Sequence, residues 1–368
     1  MKLLAPAQSG PLTFSNRIFM APLTRSRVDN DERAPTDLLV EYYRQRASAG
    51  LIISEGTNVS PRATGYVDVP GLWSEAQIAG WKKVTHEVHE QSGRIFTQLW
   101  HVGRISHPDF HQGQLPLAPS AINPDRPIRT KLSGRTQTVT PRAMSLADIK
   151  ETIQDFQRAG ANAMEAGFDG VEIHSSNGYL FHQFFSTSSN QRQDLYGGNI
   201  DNRVRLLFEV IDAMKKVMPE ERIGVRLNPM MHDAGGIEVN ADTLPTFDHI
   251  VKRLNDYNLA YLHLTRPFQT LDSPHFIEDV IGHYRELYAG FLLANGNYQG
   301  EEAEAEVNAG RADAIVFGRP FISNPDLPQR IQNQWPLATA DSTTFYSSGP
   351  KGFTDYPAYD EEQEAQIQ

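Results

Sequence analysis

Cysteine is absent from all 368 residues. That absence excludes disulfides, thiolate zinc sites, cysteine-ligated iron–sulfur clusters and any thiol nucleophile. Long apolar runs are missing too, and none approaches the roughly 20 residues that a transmembrane helix needs. Basic residues are outnumbered, with 34 Lys and Arg against 45 Asp and Glu and a net charge of −11. Nucleic acids and anionic membranes are bound through clustered Lys and Arg, so neither partner is expected. No GxGxxG follows a strand-like run and there is no P-loop, so a phosphate-bearing cofactor would have to bind elsewhere. The start, Met1–Arg17, has too short an apolar stretch for a signal peptide, and a soluble cytoplasmic protein is expected. No metal site is expected. HEVH at His86–His89 lacks the HExxH spacing, and His101, His107 and His111 share a loop without carboxylates at ligand spacing.

What is present is a repeating unit: a short β-rich apolar run, a polar or Gly-rich loop, then an amphipathic helix. The runs are Ile18–Leu23, Leu51–Thr57, Arg94–Trp100, Gly170–His174, Ile223–Asn228, Leu259–Thr265, Gly290–Gly296 and Asp313–Arg319. Most are apolar nearly throughout, as strands covered on both faces should be. Helical patterns alternate with them, and Ser74 with Gln77 forms a capping-box signature. In 146–166, Ile149, Ile153, Phe156, Ala159 and Ala163 step along one helical face. Strand then helix, eight times, predicts an α/β fold: one (β/α)8 barrel domain over 1–368, with its core at about 14–335. The residues before strand one predict a short hairpin closing the barrel floor. His101–Pro141 reads as a capping excursion after strand three. The tail, 336–368, holds Phe345, Tyr346, Phe353, Tyr356 and Tyr359 before the acidic Asp360–Glu364, so it is expected to pack.

Chemistry on such a barrel belongs at the C-terminal ends of the strands. Gly296-Asn297 and Gly318-Arg319 end strands seven and eight, where barrels bind phosphate through backbone N–H groups. Arg319 supplies a planar fork suited to phosphate oxygens. By themselves these residues also fit turn glycines and a surface arginine. At the end of strand four, His174, Asn177 and Tyr179 lie within six residues. His and Asn can donate to one oxygen, and Tyr can deliver a proton to a nearby carbon. A hydrogen-bonded core histidine remains the alternative at this stage.

The motifs MAPLTRSR (20–27), TQLWHVGR (97–104), GVEIHSSNGYLFHQFFSTSSNQRQDLYGG (170–198), GVRLNP (224–229) and GRPFISNPDL (318–327) resemble the Old Yellow Enzyme family. The match runs in order from about Phe14 to Tyr359. The family is one of FMN-dependent ene-reductases on a (β/α)8 barrel. The resemblance implies that Pro22, Leu23 and Thr24 contact the flavin ring, with Thr24 at its O4 edge. It implies Gly56 and Gln98 at the pyrimidine edge and Arg226 near N1 and O2. Gly296, Asn297, Gly318 and Arg319 match the phosphate site, with His174 and Phe345 also against the cofactor. His174 and Asn177 resemble the pair that binds a substrate carbonyl oxygen, Tyr179 the proton donor, and Tyr66, Trp100, Phe345 and Tyr346 the aromatic walls. Asn177 stands where some members, including oxophytodienoate reductases, carry a second His. Thr24 stands where the thermophilic-like branch has Cys, and the absence of cysteine leaves the single-domain branch.

The activity implied is a ping-pong NAD(P)H oxidoreductase. NADPH or NADH would reduce FMN, and hydride would pass from flavin N5 to Cβ of an α,β-unsaturated carbonyl compound while Tyr179 protonates Cα. Quinones and nitro compounds are further expected substrates, and a monomer or homodimer is expected. Two rival readings are a hydroxy-acid-oxidising FMN barrel with His174 as base, and a non-enzymatic flavin sensor.

Overall fold

The computed structural model describes residues 1–359, so the acidic Asp360–Glu364 lie outside the described residues. All eight expected runs become parallel strands: β1 (Ile18–Met20), β2 (Leu51–Asn58), β3 (Ile95–Trp100), β4 (Gly170–His174), β5 (Ile223–Leu227), β6 (Tyr261–Thr265), β7 (Leu292–Asn295) and β8 (Ala314–Phe317). They pair in chain order, and β8 pairs with β1 to close the barrel. The sequence reading overran β1 and β8 at their C-terminal ends. There Pro22, with no N–H to give, and Gly318-Arg319 leave the ladder for the barrel mouth.

The helices fall where the periodicity put them, in an outer ring. Ser74 and Gln77 cap the helix Glu75–Glu90 reciprocally, with Ser74 Oγ accepting from the Gln77 N–H at 3.3 Å. Outward strand residues such as Val171, Ile173, Val225 and Leu262 join Ile149, Phe156, Ala159 and Ala163 of helix Leu146–Glu165 in one buried core. Inward residues obey a different rule at each depth. The floor is apolar. Phe19, Phe96, Tyr261 and Leu293 pack there on Leu12 and Phe14 of the antiparallel hairpin Ala7–Ser9/Leu12–Phe14. Above it the lining turns polar, with Gln98, Glu172, Arg226, His263 and Asn295 all buried. The strands are therefore not apolar throughout, because a barrel of this width encloses a second layer that can be polar if its groups pair.

The excursion after β3 carries a hairpin, Pro127–Thr130 with Gly134–Gln137, and a short parallel pair, Leu117–Ala118 with Arg142–Ala143. Buried Arg104 anchors it, donating to the carbonyls of Gly235 (2.7 Å) and Ile122 (3.2 Å). The histidines of this region serve structure. His101 Nδ1 accepts from the Gly103 N–H at 3.0 Å, and His111 Nε2 pairs with Ser106 Oγ at 2.8 Å.

The described part of the tail, 336–359, packs, as its aromatic content predicts, and three buried arginines hold it. Arg25 donates to the carbonyls of Phe345 (3.1 Å) and Gly352 (2.6 Å), and Arg27 to those of Thr344 (2.7 Å) and Gly349 (3.0 Å). Arg46 donates to the carbonyl of Phe353 (3.4 Å) as well as to those of Phe321 and Ile322, and lies 3.8 Å over the Tyr42 ring. Phe353 stacks on Tyr42 with centroids 3.9 Å apart and is fully buried. Truncating it removes that stack and opens a cavity. Phe353→Ala is expected to lower the unfolding free energy by about 3–5 kcal/mol in denaturant titration. An unchanged midpoint would show that the tail adds nothing to stability.

Candidate active site

Strand phase places the site. On β4 the residues Gly170, Glu172 and His174 face inward, and on β5 Gly224 and Arg226 do, with His174 directly opposite Arg226 in the parallel register. Trp100, at the end of β3, stacks on the His174 imidazole at 5.9 Å and 14°. Tyr179 meets both rings edge-on, each at 4.9 Å. Tyr66 completes the group, stacked on Trp100 at 5.1 Å, with its hydroxyl 2.8 Å from that of Tyr179.

The turn after β4 fixes both proposed oxygen-binding side chains from behind. The Ser176 N–H lies 3.4 Å from His174 Nδ1, and Ser176 Oγ lies 3.2 Å from it. A backbone N–H can only donate, so Nδ1 accepts and the ring proton sits on Nε2. Burial, then the charges of Arg226 and His263, hold the His174 pKa well below the ordinary imidazole value, so the ring is neutral. Asn177 takes a left-handed conformation (φ 57°), which Asn tolerates better than most residues. Its Oδ1 accepts from Asn228 Nδ2 at 3.0 Å, which commits the amide nitrogen of Asn177 to the opposite side. Burial, followed by the influence of Tyr66, pushes the Tyr179 hydroxyl pKa well above the tyrosine range, and it keeps its proton.

A cleft of about 770 Å³ opens at the mouth, walled by Pro22, Leu23, Arg226, Gly296, Asn297, Gly318, Arg319 and Phe345. Two of its donors lack partners among the described residues. Arg226 spends Nη2 on Asn295 Oδ1 (3.2 Å) and Thr265 Oγ1 (3.4 Å), yet its buried Nε is unpaired. Arg319 is exposed and bonds to no described residue, whereas most arginines here are engaged. Gly296 has φ 129°, a conformation open to glycine alone, with its missing Cβ aimed at Arg266. At Gly318 a Cβ would meet only Leu23 and Ala21, at 3.6 and 3.8 Å, so the chain itself leaves that space free. A slot lined by Pro22, Leu23 and Phe345, with Arg319 free and the Nε of Arg226 unpaired, fits a flat, anionic, phosphate-bearing cofactor.

The other expected contacts lie beside the cleft rather than on its walls. Thr24 follows Leu23 and is half-buried. Gly56 is covered by the Trp100 ring, which a Cβ would strike at 2.5 Å, so only its backbone can meet a ligand. Gln98 donates Nε2 to Glu172 Oε1 at 2.7 Å. Tyr346 is 65% exposed and near enough to Tyr66 and Tyr179 to influence both. Sequence reasoning missed Ser176, Asn228, Asn295, Glu172 and His263. The last two carried a signal, each being a polar residue on the inward phase of an otherwise apolar strand. Among the described residues no group of three His, Asp or Glu is placed to hold a metal ion. None of their helices is long and apolar enough to cross a membrane.

A closed parallel barrel with an anion-ready cleft and a pocket of neutral donors at its mouth has the build of a cofactor-dependent barrel enzyme. The sequence model of the NADH:flavin oxidoreductase / NADH oxidase family matches residues 2–338. 12-Oxophytodienoate reductase 1 of Oryza sativa subsp. japonica is 38% identical over 364 residues, covering 98% of this chain and 93% of its own. Flavin oxidoreductase hxnT of Emericella nidulans is 40% identical over 380 residues, covering 96% and 97%. Among solved structures, morphinone reductase in complex with tetrahydroNAD superposes with a TM-score of 0.92 at 42% identity, covering 98% and 99%. The old yellow enzyme homologue from Zymomonas mobilis gives 0.91 at 40%, covering 97% and 99%. The chain belongs to the Old Yellow Enzyme (NADH:flavin oxidoreductase) family and is an FMN-dependent oxidoreductase.

Arg319→Ala is expected to weaken FMN binding, because the phosphate would lose a charge-assisted partner typically worth about 1.5–3 kcal/mol. Riboflavin, without the phosphate, should bind parent and variant equally. Fluorimetric titration of apoprotein with both flavins checks this, and an equal loss for both would remove Arg319 from the phosphate site.

Proposed function

We propose that the chain is an NAD(P)H-dependent ene-reductase acting on the activated C=C bond of α,β-unsaturated carbonyl compounds, with quinones and nitro compounds as further acceptors. The observation that carries this reading is the paired fixing of His174 and Asn177. Each has its far end bound, by Ser176 and by Asn228, which leaves the Nε2–H of His174 and the amide NH2 of Asn177 for a ligand. Relatives named for reduction of 12-oxophytodienoate and morphinone, and a solved complex of morphinone reductase with tetrahydroNAD, agree with an oxo substrate and a nicotinamide donor.

Arg319, Gly318, Gly296, Asn297, Arg226, Pro22, Leu23, Thr24, Gly56, Gln98 and Phe345 would hold FMN, which would supply reversible two-electron hydride exchange. The chain's own residues do the rest. His174 Nε2–H and the Asn177 amide donate to the substrate's carbonyl oxygen and stabilise the negative charge that grows there as hydride reaches Cβ. A neutral imidazole suits that task, since its proton stays in place throughout. Tyr179 holds its proton firmly and delivers it to Cα, and Tyr66 sits at hydrogen-bond distance to steady or relay that proton. Tyr66 and Trp100 pack together beside Tyr179, with Tyr346 close by, and nicotinamide and substrate would occupy the space against them in turn, giving ping-pong kinetics.

Anaerobic mixing tests the activity: NADPH should bleach the yellow absorbance and cyclohexenone should restore it. A hydroxy acid that bleaches where NAD(P)H does not would instead support the oxidase reading. Tyr179→Phe should keep FMN, its reduction by NAD(P)H and phenol binding. It should lose enone turnover by roughly 10²–10⁴-fold, the usual worth of a positioned acid. Quinone turnover should survive, because no proton is needed at carbon. His174→Ala should weaken phenol binding and slow both substrates. Stopped-flow measurement of cofactor reoxidation by each substrate checks both variants, and equal slowing of enone and quinone by Tyr179→Phe would assign the proton to another group.

A further inference from the structure

One layer beneath the pocket lies a carboxylate that the mechanism above does not use. Glu172 is fully buried on β4, two residues before His174 and in the same inward phase. Its Oε1 accepts from Gln98 Nε2 at 2.7 Å, and its Oε2 accepts from His263 Nδ1 at 2.8 Å. Tyr261 and Arg226 are its other polar neighbours. Desolvating a carboxylate is costly, and a protein tolerates it where partners repay the cost. Here burial is outweighed by the hydrogen bonds from His263 and Gln98 and by the charge of Arg226, and Glu172 lies below the usual carboxylate range, so it is ionised. His263 is fully buried too, and desolvation keeps it below the imidazole value, so it is a neutral donor. The anion is therefore balanced by one cation of this cluster, Arg226, the residue that also walls the cofactor cleft.

We infer that Glu172 is a positioning residue that sets the cofactor's reduction potential. It fixes the Gln98 amide by accepting from Nε2, and its charge offsets that of Arg226. Two-electron reduction of a flavin at neutral pH adds negative charge at its pyrimidine end, which Arg226 favours and a nearby carboxylate opposes. Glu172 thus holds the potential down and keeps the reduced cofactor a strong hydride donor. Its partners are the groups that would keep such a charge in place: a neutral His and an amide fixed on opposite oxygens. The inference rests on the reading that Arg226 faces the pyrimidine end of FMN.

Glu172→Gln keeps size and one acceptor oxygen but removes the charge. Redox titration of the FMN-loaded variant against a reference dye is expected to show at least a tenfold rise in the two-electron reduction constant, about 30 mV upward. Glu172→Asp keeps the charge while withdrawing from Gln98, and should stay closer to the parent potential than Glu172→Gln does. A Glu172→Gln potential equal to or below the parent's would overturn the inference. Should that variant fail to hold FMN, Arg226→Gln is compared with the Arg226→Gln/Glu172→Gln double variant, which buries no unbalanced charge. The double variant must have the higher potential, and equality of the two again overturns the role of Glu172. Arg226→Gln alone must lie below the parent. If it does not, the placement of Arg226 at the pyrimidine end is what fails.

Discussion

Closing eight parallel strands on themselves sends every second residue inside, and the upper half of this barrel fills that space with polar groups that must pair or pay for their desolvation. Most of the site follows from that constraint. Glu172 is held by Gln98 and His263, and Arg226 is held on one side by Asn295 and Thr265. Asn295 is itself fixed by donating to the Val316 carbonyl on the next strand. These links cross from strand to strand around the barrel, so groups distant in sequence share one geometry. The donors left unpaired, Arg226 Nε and the exposed Arg319, open at the cleft. A ligand there completes a network that the chain leaves open.

The apolar floor and the polar layer divide the labour. Phe19, Phe96 and Tyr261 with the N-terminal hairpin exclude water from below. The excursion, anchored by Arg104, shields the Tyr66–Trp100 wall from the side. Between them the electrostatic groups act in a medium of low polarisability, where a hydrogen bond or a charge counts for more than it would in water.

The fold was legible because its signal is periodic: eight apolar runs, each followed by a helix with one apolar face, leave few arrangements open. The strand-end residues His174, Asn177 and Tyr179 stood out as candidates because three unlike donors crowded one turn, and Gly296, Asn297, Gly318 and Arg319 because they end strands seven and eight, where the fold puts chemistry. The supporting residues were not. Asn228 and Ser176 look like ordinary loop polars, and only the folded turn shows that one orients an amide and the other selects a tautomer. Glu172 and His263 are 91 residues apart, and no local pattern announces that they meet. Gly56 reads as a ligand contact and as a relief for the Trp100 ring, and spacing cannot separate the two.

The cleft draws Pro22 and Leu23 from the first strand's end and Arg319 and Phe345 from beyond the last. Arg25 and Arg27, a few residues after Pro22, are the groups that bind the tail carrying Phe345. On the ribosome the early half of this site is made some three hundred residues before its late half. During that interval Arg25 and Arg27 have no tail carbonyls to meet, and Arg226 has no opposite wall. The two walls of the cleft therefore meet only after the last strand and the segment carrying Phe345 have been made.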